Sequence, residues 1–329
     1  KSSPSAALPT AMPVDPVVKK EVFVYKQVGD CEIKADVYRL SGNDIRPALV
    51  LIHGGALICG NREIDQFEPF RYYLRKYMEA GFTVVSIDYR LAPETKLEEI
   101  IKDVQDALRW VREQGPSKID IDPDRIAVTG GSAGGYLTLM AGCCIQPRPR
   151  ALVSFYGYGD IVGKWYTEPD PFYLRTEKTV TKREAFSGVG VKPIAGCPFL
   201  GKEGEGRGRF YLYCRQQGRW CQEVTGWDPK EEPEKFVQYC PIHNVTREYP
   251  PTLLLHGDKD TDVPCEQSIT MAEELKRQGI PHKLMVLKGL GHGFEFSEHN
   301  GSWSRNEDPQ VVKAFDAALE FLKEHTKPR

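Results

Sequence analysis

Apolar positions along this chain follow two periods, and the periods alternate. Residues 21–40 run apolar–polar: Val22, Val24 and Tyr25, then a Gly29-Asp30 pair, then Ile33, Ala35, Val37 and Tyr38. That pattern predicts two short strands joined by a tight turn. "ALVLIHGG" (48–55) and "FTVVSIDYR" (82–90) are continuous apolar runs, the mark of strands buried on both faces. Between them Phe67, Phe70, Tyr73, Leu74 and Met78 recur at helical spacing, with Gly81 as the stop, which predicts a helix over 66–80. Leu97, Ile100, Ile101, Val104, Leu108 and Val111 predict an amphipathic helix over 97–111. The pattern continues with a strand over 124–130, a small-residue helix over 132–144 and a strand over 151–157. It resumes later with a strand over 251–257, a helix over 265–278, a strand over 282–289 and a helix around 310–324.

Strands alternating with helices predict a parallel sheet wrapped by helices. Residues 160–248 break the alternation; they are rich in Gly, Pro, Lys, Glu and aromatics and show no clean period. The organisation expected is therefore one α/β core over 21–159 and 249–329, with 160–248 inserted as a lid. Residues 1–20, rich in Pro, Ser and Ala, read as a flexible arm.

Composition narrows the function. The chain is 40% hydrophobic and 27% charged with a net charge of −2, so no polyanion is expected as a partner and nucleic acid is set aside. The longest apolar stretch, Ala48 to Ile58, is too short to span a bilayer. Nine cysteines form no CxxC pair, so neither a zinc site nor a redox motif is suggested, and neither metal nor cofactor is expected. Free thiols point to a reducing, cytoplasmic compartment; with secretion, after removal of a signal peptide, Cys197, Cys214, Cys221 and Cys240 would become candidates for pairing. A homodimer is compatible with all of this.

"TGGSAGGY" (129–136) places one serine among glycines between a predicted strand and a predicted helix. That is the setting of a G-x-S-x-G nucleophile turn: the chain bends so sharply that neighbouring backbone comes close, and only Gly or Ala fits beside Ser132. A phosphate loop is disfavoured, because no Gly-Lys-Ser/Thr follows. A serine nucleophile needs a base, an orienting acid and donors for the oxyanion. The donors are sought in "HGGA" (53–56), where the N–H groups of Gly55 and Ala56 would join that of Ala133. His53 reads as a structural member of that loop. The acid is sought in "HGDKDTDVP" (256–264), where Asp258, Asp260 and Asp262 compete; one should bond the base, the others being solvated or capping the turn. His292, glycine-flanked in "GLGHGF" (289–294), is the candidate base. The chain order Ser, Asp, His is that of the hydrolases and differs from the two common protease orders.

With these blocks in hand, "HGGA", "DYRLAPE" (88–94), "DPDRIAVTGGSAGG" (122–135), "HGDKDTDVP" and "GHGF" together resemble the α/β-hydrolase fold, and within it the hormone-sensitive-lipase-like carboxylesterases. The resemblance implies a mostly parallel sheet, Ser132 as nucleophile, His292 as base and Asp260 as acid, with Asp262 the runner-up. Two departures stand out: Ala56 replaces the usual third glycine, and Gly131 replaces the Asp that often precedes the serine. The resemblance implies a serine carboxylesterase acting on a small-molecule ester through an acyl-enzyme. The alternatives are a peptidase or amidase of the prolyl-oligopeptidase type, whose serine turn is similar, and a non-catalytic binding protein on the same fold. Gly54, Gly131, Trp165, Tyr166 and Tyr211 are the candidate substrate-contacting positions, although most aromatics of the insertion would form its own small core.

Overall fold

The computed structural model describes residues 18–199, 201–299 and 302–329. Residues 1–17 of the expected arm lie outside that set, and 18–20 belong to the first strand. Eight strands form one sheet: β1 (Val18–Val28), β2 (Cys31–Leu40), β3 (Arg46–Ile52), β4 (Thr83–Ile87), β5 (Ile121–Gly131), β6 (Leu152–Phe155), β7 (Thr252–Gly257) and β8 (His282–Leu287). Their spatial order is β1-β2-β4-β3-β5-β6-β7-β8. β1 and β2 form the expected hairpin, β2 meets β4 antiparallel, and every pair from β4 onward is parallel.

The continuous apolar runs are explained by two cores, one on each face of the sheet. In β3, Ala48, Val50 and Ile52 face one core and Leu49 the other; in β5, Ile126 and Val128 are divided from Ala127 in the same way. The first core is closed by α2 (Leu97–Lys118), α3 (Ala133–Cys144) and α9 (Glu266–Arg277), the second by α1 (Glu68–Glu79) and α10 (Pro309–His325). A strand covered on both faces has no polar side to alternate with.

Between β6 and β7 the chain builds α4 (Lys164–Thr167), α5 (Pro171–Thr176), α6 (Lys182–Phe186), α7 (Gly201–Gln217) and α8 (Trp220–Thr225). Their centre is a stack of rings: Trp165 on Tyr166 with centroids 3.6 Å apart, and Tyr166 on Trp220 at 4.1 Å. Hydrogen bonds and an ion pair hold these helices to the core. The Trp220 indole N–H donates to the Ala56 carbonyl at 3.0 Å. Arg207 pairs with Glu94 at 2.8 Å, both side chains under 5% exposed, and also donates to the carbonyls of Ala92 and Ile58. The "DYRLAPE" block is thus a clasp: Asp88 binds Arg62, Arg90 binds Asp103, and Glu94 binds Arg207. Buried pairs of this kind destabilise strongly, by about 3–5 kcal/mol, when one partner alone is removed.

Candidate active site

The sheet brings five loops to its carboxyl edge in a fixed order. The 53–56 loop follows β3, Ser132 follows β5, Tyr156 follows β6, Asp260 follows β7 and His292 follows β8. Because β3, β5 and β6 are neighbours, the serine turn is flanked by backbone on both sides. The Ser132 amide donates to the Phe155 carbonyl at 2.9 Å, and the Ser132 carbonyl accepts from Tyr136 N–H at 3.0 Å.

Ser132 sits at φ 57°, ψ −122°, a conformation L-residues rarely adopt. Its neighbours show why the turn is built of glycine. A Cβ on Gly134 would fall 2.0 Å from the Ile52 carbonyl oxygen, and one on Gly130 2.5 Å from it. On the 53–56 side, a Cβ on Gly54 would come within 3.3 Å of Ser132 Cβ. This loop bends through positive φ at Gly55 (103°), Ala56 (57°) and Leu57 (65°). The Gly55 carbonyl turns back to accept from the Ile58 and Cys59 amides at 2.8 and 2.9 Å. The N–H groups of Gly55, Ala56 and Ala133 make no hydrogen bond among the described residues, and Ala133 opens α3, where the helix dipole favours negative charge. His53 is a structural part of the loop: it stacks on Tyr89 at 4.2 Å, and its Nδ1 donates to the Gly54 carbonyl at 2.7 Å. Burial pushes its imidazole down to about 4, so it stays neutral.

His292 and Asp260, 32 residues apart, meet through Nδ1 and Oδ2 at 2.7 Å. The Asp260 side chain is fully buried, and its other oxygen accepts from the Asp262 and Val263 amides at 2.9 Å each. Buried His256 lies 3.2 Å from Asp260 Oδ2 through Nε2, which also faces the Val263 carbonyl at 3.0 Å. Two acceptors at Nε2 require the proton there, so Nδ1 accepts from the Ser268 hydroxyl at 2.7 Å. Burial opposes the charge on Asp260, but the hydrogen bonds from His256, His292 and the Val263 amide outweigh it and hold its carboxyl well below the usual range. Burial also opposes the charge on His292, and the carboxylates of Asp262 and Asp260 raise its affinity for a proton above the ordinary value.

Tyr156 packs between the His292 ring and the serine turn. Its ring lies 4.6 Å from the His292 ring, and a Cβ on Gly131 would fall 2.9 Å from its hydroxyl. Its hydroxyl donates to buried Glu295, three residues past the histidine. Burial raises the Glu295 carboxyl to about 7. Neither residue was singled out in the sequence; a tyrosine directly after a buried strand, opposite a serine turn, is the signal that was there to read.

Of the three competing aspartates, Asp258 caps the turn by accepting from the Gly289 amide at 2.7 Å. Asp262 neither caps nor points to open solvent, as the residues left over from the acid role were expected to do. Its Oδ2 lies 3.3 Å from His292 Nε2, and its side chain is 18% exposed. Of the aromatic candidates, Tyr166 is buried in the ring stack with Trp165 partly buried on it, while the Tyr211 hydroxyl donates to Asp262 Oδ1 at 2.7 Å. The site therefore gathers Ser132, Gly54, Gly55, Ala56, Gly131, Ala133, Asp260 and His292 around one edge; Tyr211 reaches it through Asp262, whereas Trp165 and Tyr166 pack in the ring stack.

Comparison with known proteins bears on the fold. Residues 35–149 match the BD-FAE family and residues 210–328 the prolyl oligopeptidase family. Among curated proteins the chain is 27% identical over 340 residues to the non-reducing polyketide synthase Preu3 of Preussia isomera, covering 90% of this chain. The chain spans only 13% of that protein's length. Two solved structures superpose over nearly the whole chain. One is a protein of unknown function from Staphylococcus aureus subsp. aureus Mu50, with TM-score 0.71, 20% identity and coverage of 94% of this chain and 100% of that one. The other is a thermophilic esterase from Thermogutta terrifontis, with TM-score 0.62, 23% identity and coverage of 93% and 94%. The chain has the α/β-hydrolase fold that its motifs imply. No helix among the described residues is long and apolar enough to cross a membrane.

Proposed function

We propose that the protein is a serine carboxylesterase of the hormone-sensitive-lipase-like kind. The observation that carries this reading is the Asp260–His292 hydrogen bond at the same sheet edge as a serine held at positive φ, with three amides there that make no hydrogen bond among the described residues. Ser132 Oγ attacks the ester carbonyl carbon as His292 Nε2 takes its proton. Asp260 fixes the imidazole with its proton on Nδ1 and stabilises the imidazolium. The amides of Gly55, Ala56 and Ala133 hold the oxyanion; each such donor is worth about 3–4 kcal/mol in the transition state. The alcohol leaves with the proton from Nε2, giving the acyl-enzyme. Water, deprotonated by the same nitrogen, then releases the acid and restores Ser132. The helices α4–α8 act as a lid over this edge. The chemistry uses protein groups alone.

The likeness to a thermophilic esterase supports oxygen esters. The match of 210–328 to the prolyl oligopeptidase family favours a second reading, a peptidase or amidase, and the likeness to a polyketide synthase supports acyl thioesters as a further class to test. A matched panel separates them: p-nitrophenyl esters of increasing acyl length, the corresponding N-acetylcysteamine thioesters, and acyl and prolyl anilides. The expected result is turnover of esters far above that of anilides. Anilide cleavage at a rate comparable to the esters would replace the esterase reading with the peptidase one.

A further inference from the structure

The base has a second carboxylate at the nitrogen that does the chemistry. Asp262 Oδ2 is 3.3 Å from His292 Nε2, opposite the Nδ1 that Asp260 binds. Among the described residues Ser132 Oγ makes no side-chain hydrogen bond of its own. The carboxylate that faces Nε2 belongs to the core, but its other oxygen belongs to the helical insertion. Asp262 Oδ1 accepts from the Tyr173 hydroxyl of α5 at 2.6 Å, the Tyr211 hydroxyl of α7 at 2.7 Å and the Arg215 guanidinium of α7 at 2.9 Å. Arg215 also donates to the Asp262 carbonyl at 2.8 Å and to Asp170 at 2.6 Å, and its side chain is 1% exposed. Three donations from two insertion helices thus aim one core carboxylate at the base, and a fourth holds its main-chain carbonyl. Such an arrangement is more than packing requires, because a carboxylate with only a structural role has no need of the open edge of the imidazole.

We infer that Asp262 is a further catalytic residue, a second carboxylate that stabilises the imidazolium of His292 from the Nε2 side and is held there by the lid. The contacts that α5 and α7 make with Asp262 thereby bear on the charge of the base. The inference rests on the roles given above to Ser132, His292 and Asp260. Every charged group facing the imidazole enters the same balance: Asp260 at Nδ1, Asp262 at Nε2 with Arg215 behind it, and Glu295 beyond the Tyr156 ring. Removing one of the two contacting carboxylates lowers the proton affinity of the base and weakens the stabilisation of its charged form.

The test is Asp262→Asn, read two ways. Titration of His292 is followed by NMR of histidine-labelled protein, with its resonance identified by loss in His292→Gln. The midpoint should fall by about one pH unit relative to wild type. The acid limb of kcat/KM for p-nitrophenyl acetate should fall with it, and the alkaline plateau should drop. Should the loss of one of the two carboxylate partners of Arg215 prevent folding, the double variant Asp262→Asn with Arg215→Gln removes both charges together, and the same shift is expected. An unmoved midpoint overturns the inference. A raised plateau also overturns it, because Asp262 would then restrain the base. If the midpoint moves in a protein that hydrolyses no ester, the function proposed above fails and the pairing of Asp262 with the base stands.

Discussion

Ser132→Ala lowers kcat on short-chain aryl esters by about a million-fold, the loss seen when a triad serine is removed from a protease. The fold survives the change. Alanine keeps the Cβ and meets the same strain at φ 57° that serine does, and the Ser132 hydroxyl makes no side-chain hydrogen bond whose loss would expose a buried partner. The backbone bonds to Phe155 and Tyr136 remain, as do the amides of Gly55, Ala56 and Ala133. A residual rate above background is therefore expected from binding and the oxyanion donors alone. The check is steady-state kinetics beside a thermal melt. Full activity in a variant with an unchanged melt would remove Ser132 from the mechanism.

Asp260→Asn is expected to cost about ten-thousand-fold in kcat, roughly 5.5 kcal/mol of transition-state stabilisation. The reason lies in hydrogen-bond polarity. Oδ1 receives two backbone amides, from Asp262 and Val263, so the asparagine must keep its carbonyl oxygen there. Its NH2 then occupies the Oδ2 position, facing His292 Nδ1 and His256 Nε2. A donor at Nδ1 forces the imidazole proton onto Nε2, and the nitrogen that should accept from Ser132 is filled. His256 is left with a donor against its own N–H, which costs about 1–3 kcal/mol of stability unless it changes tautomer. A small fall in melting temperature with a large fall in kcat is the signature. A kcat within tenfold of wild type would remove Asp260 from the acid's role.

The core was legible because a doubly covered sheet leaves a strong trace. Runs such as Ala48–Ile52 and Leu253–Leu255 are apolar throughout, and the helices that cover them carry one apolar face. The boundaries drifted where local signals misled. The helix read as ending at Val111 continues to Lys118 through Gly115 and Pro116, although Pro116 has no N–H to donate to the carbonyl four residues back. The insertion hid its helices for a reason of propensity. α7 contains Gly204, Gly206 and Gly208, each costing about 1 kcal/mol relative to alanine. Two of them serve packing instead: a Cβ on Gly204 would fall 2.4 Å from the Phe199 carbonyl oxygen and one on Gly206 3.0 Å from the Gly188 Cα, whereas Gly208 faces open space. A short hairpin, Phe296–His299 with Ser302–Arg305, likewise left no alternation clear enough to read.

The site was legible in its serine turn, its two glycines after β3 and its glycine-flanked histidine, since each demands an unusual residue type. What the sequence could not disclose was the partnership across distance. Arg215 and Asp262 stand 47 positions apart, and Tyr173 and Asp262 stand 89 apart. Nothing in the sequence marks Arg215 as buried, yet it lies against the Trp165, Tyr166, Tyr173 and Tyr211 rings at 5.0–5.7 Å. Its charge is balanced by Asp170 and Asp262, and only the three-dimensional arrangement connects that balance to the base.

The most direct measurement is covalent capture. Wild-type protein treated with a fluorophosphonate and digested should yield a single phosphonylated peptide, modified at Ser132, with adduct formation abolished in Ser132→Ala and slowed in His292→Gln. Failure to react, or an adduct at another residue while Ser132 stays unmodified, would contradict the assignment of Ser132 as the nucleophile.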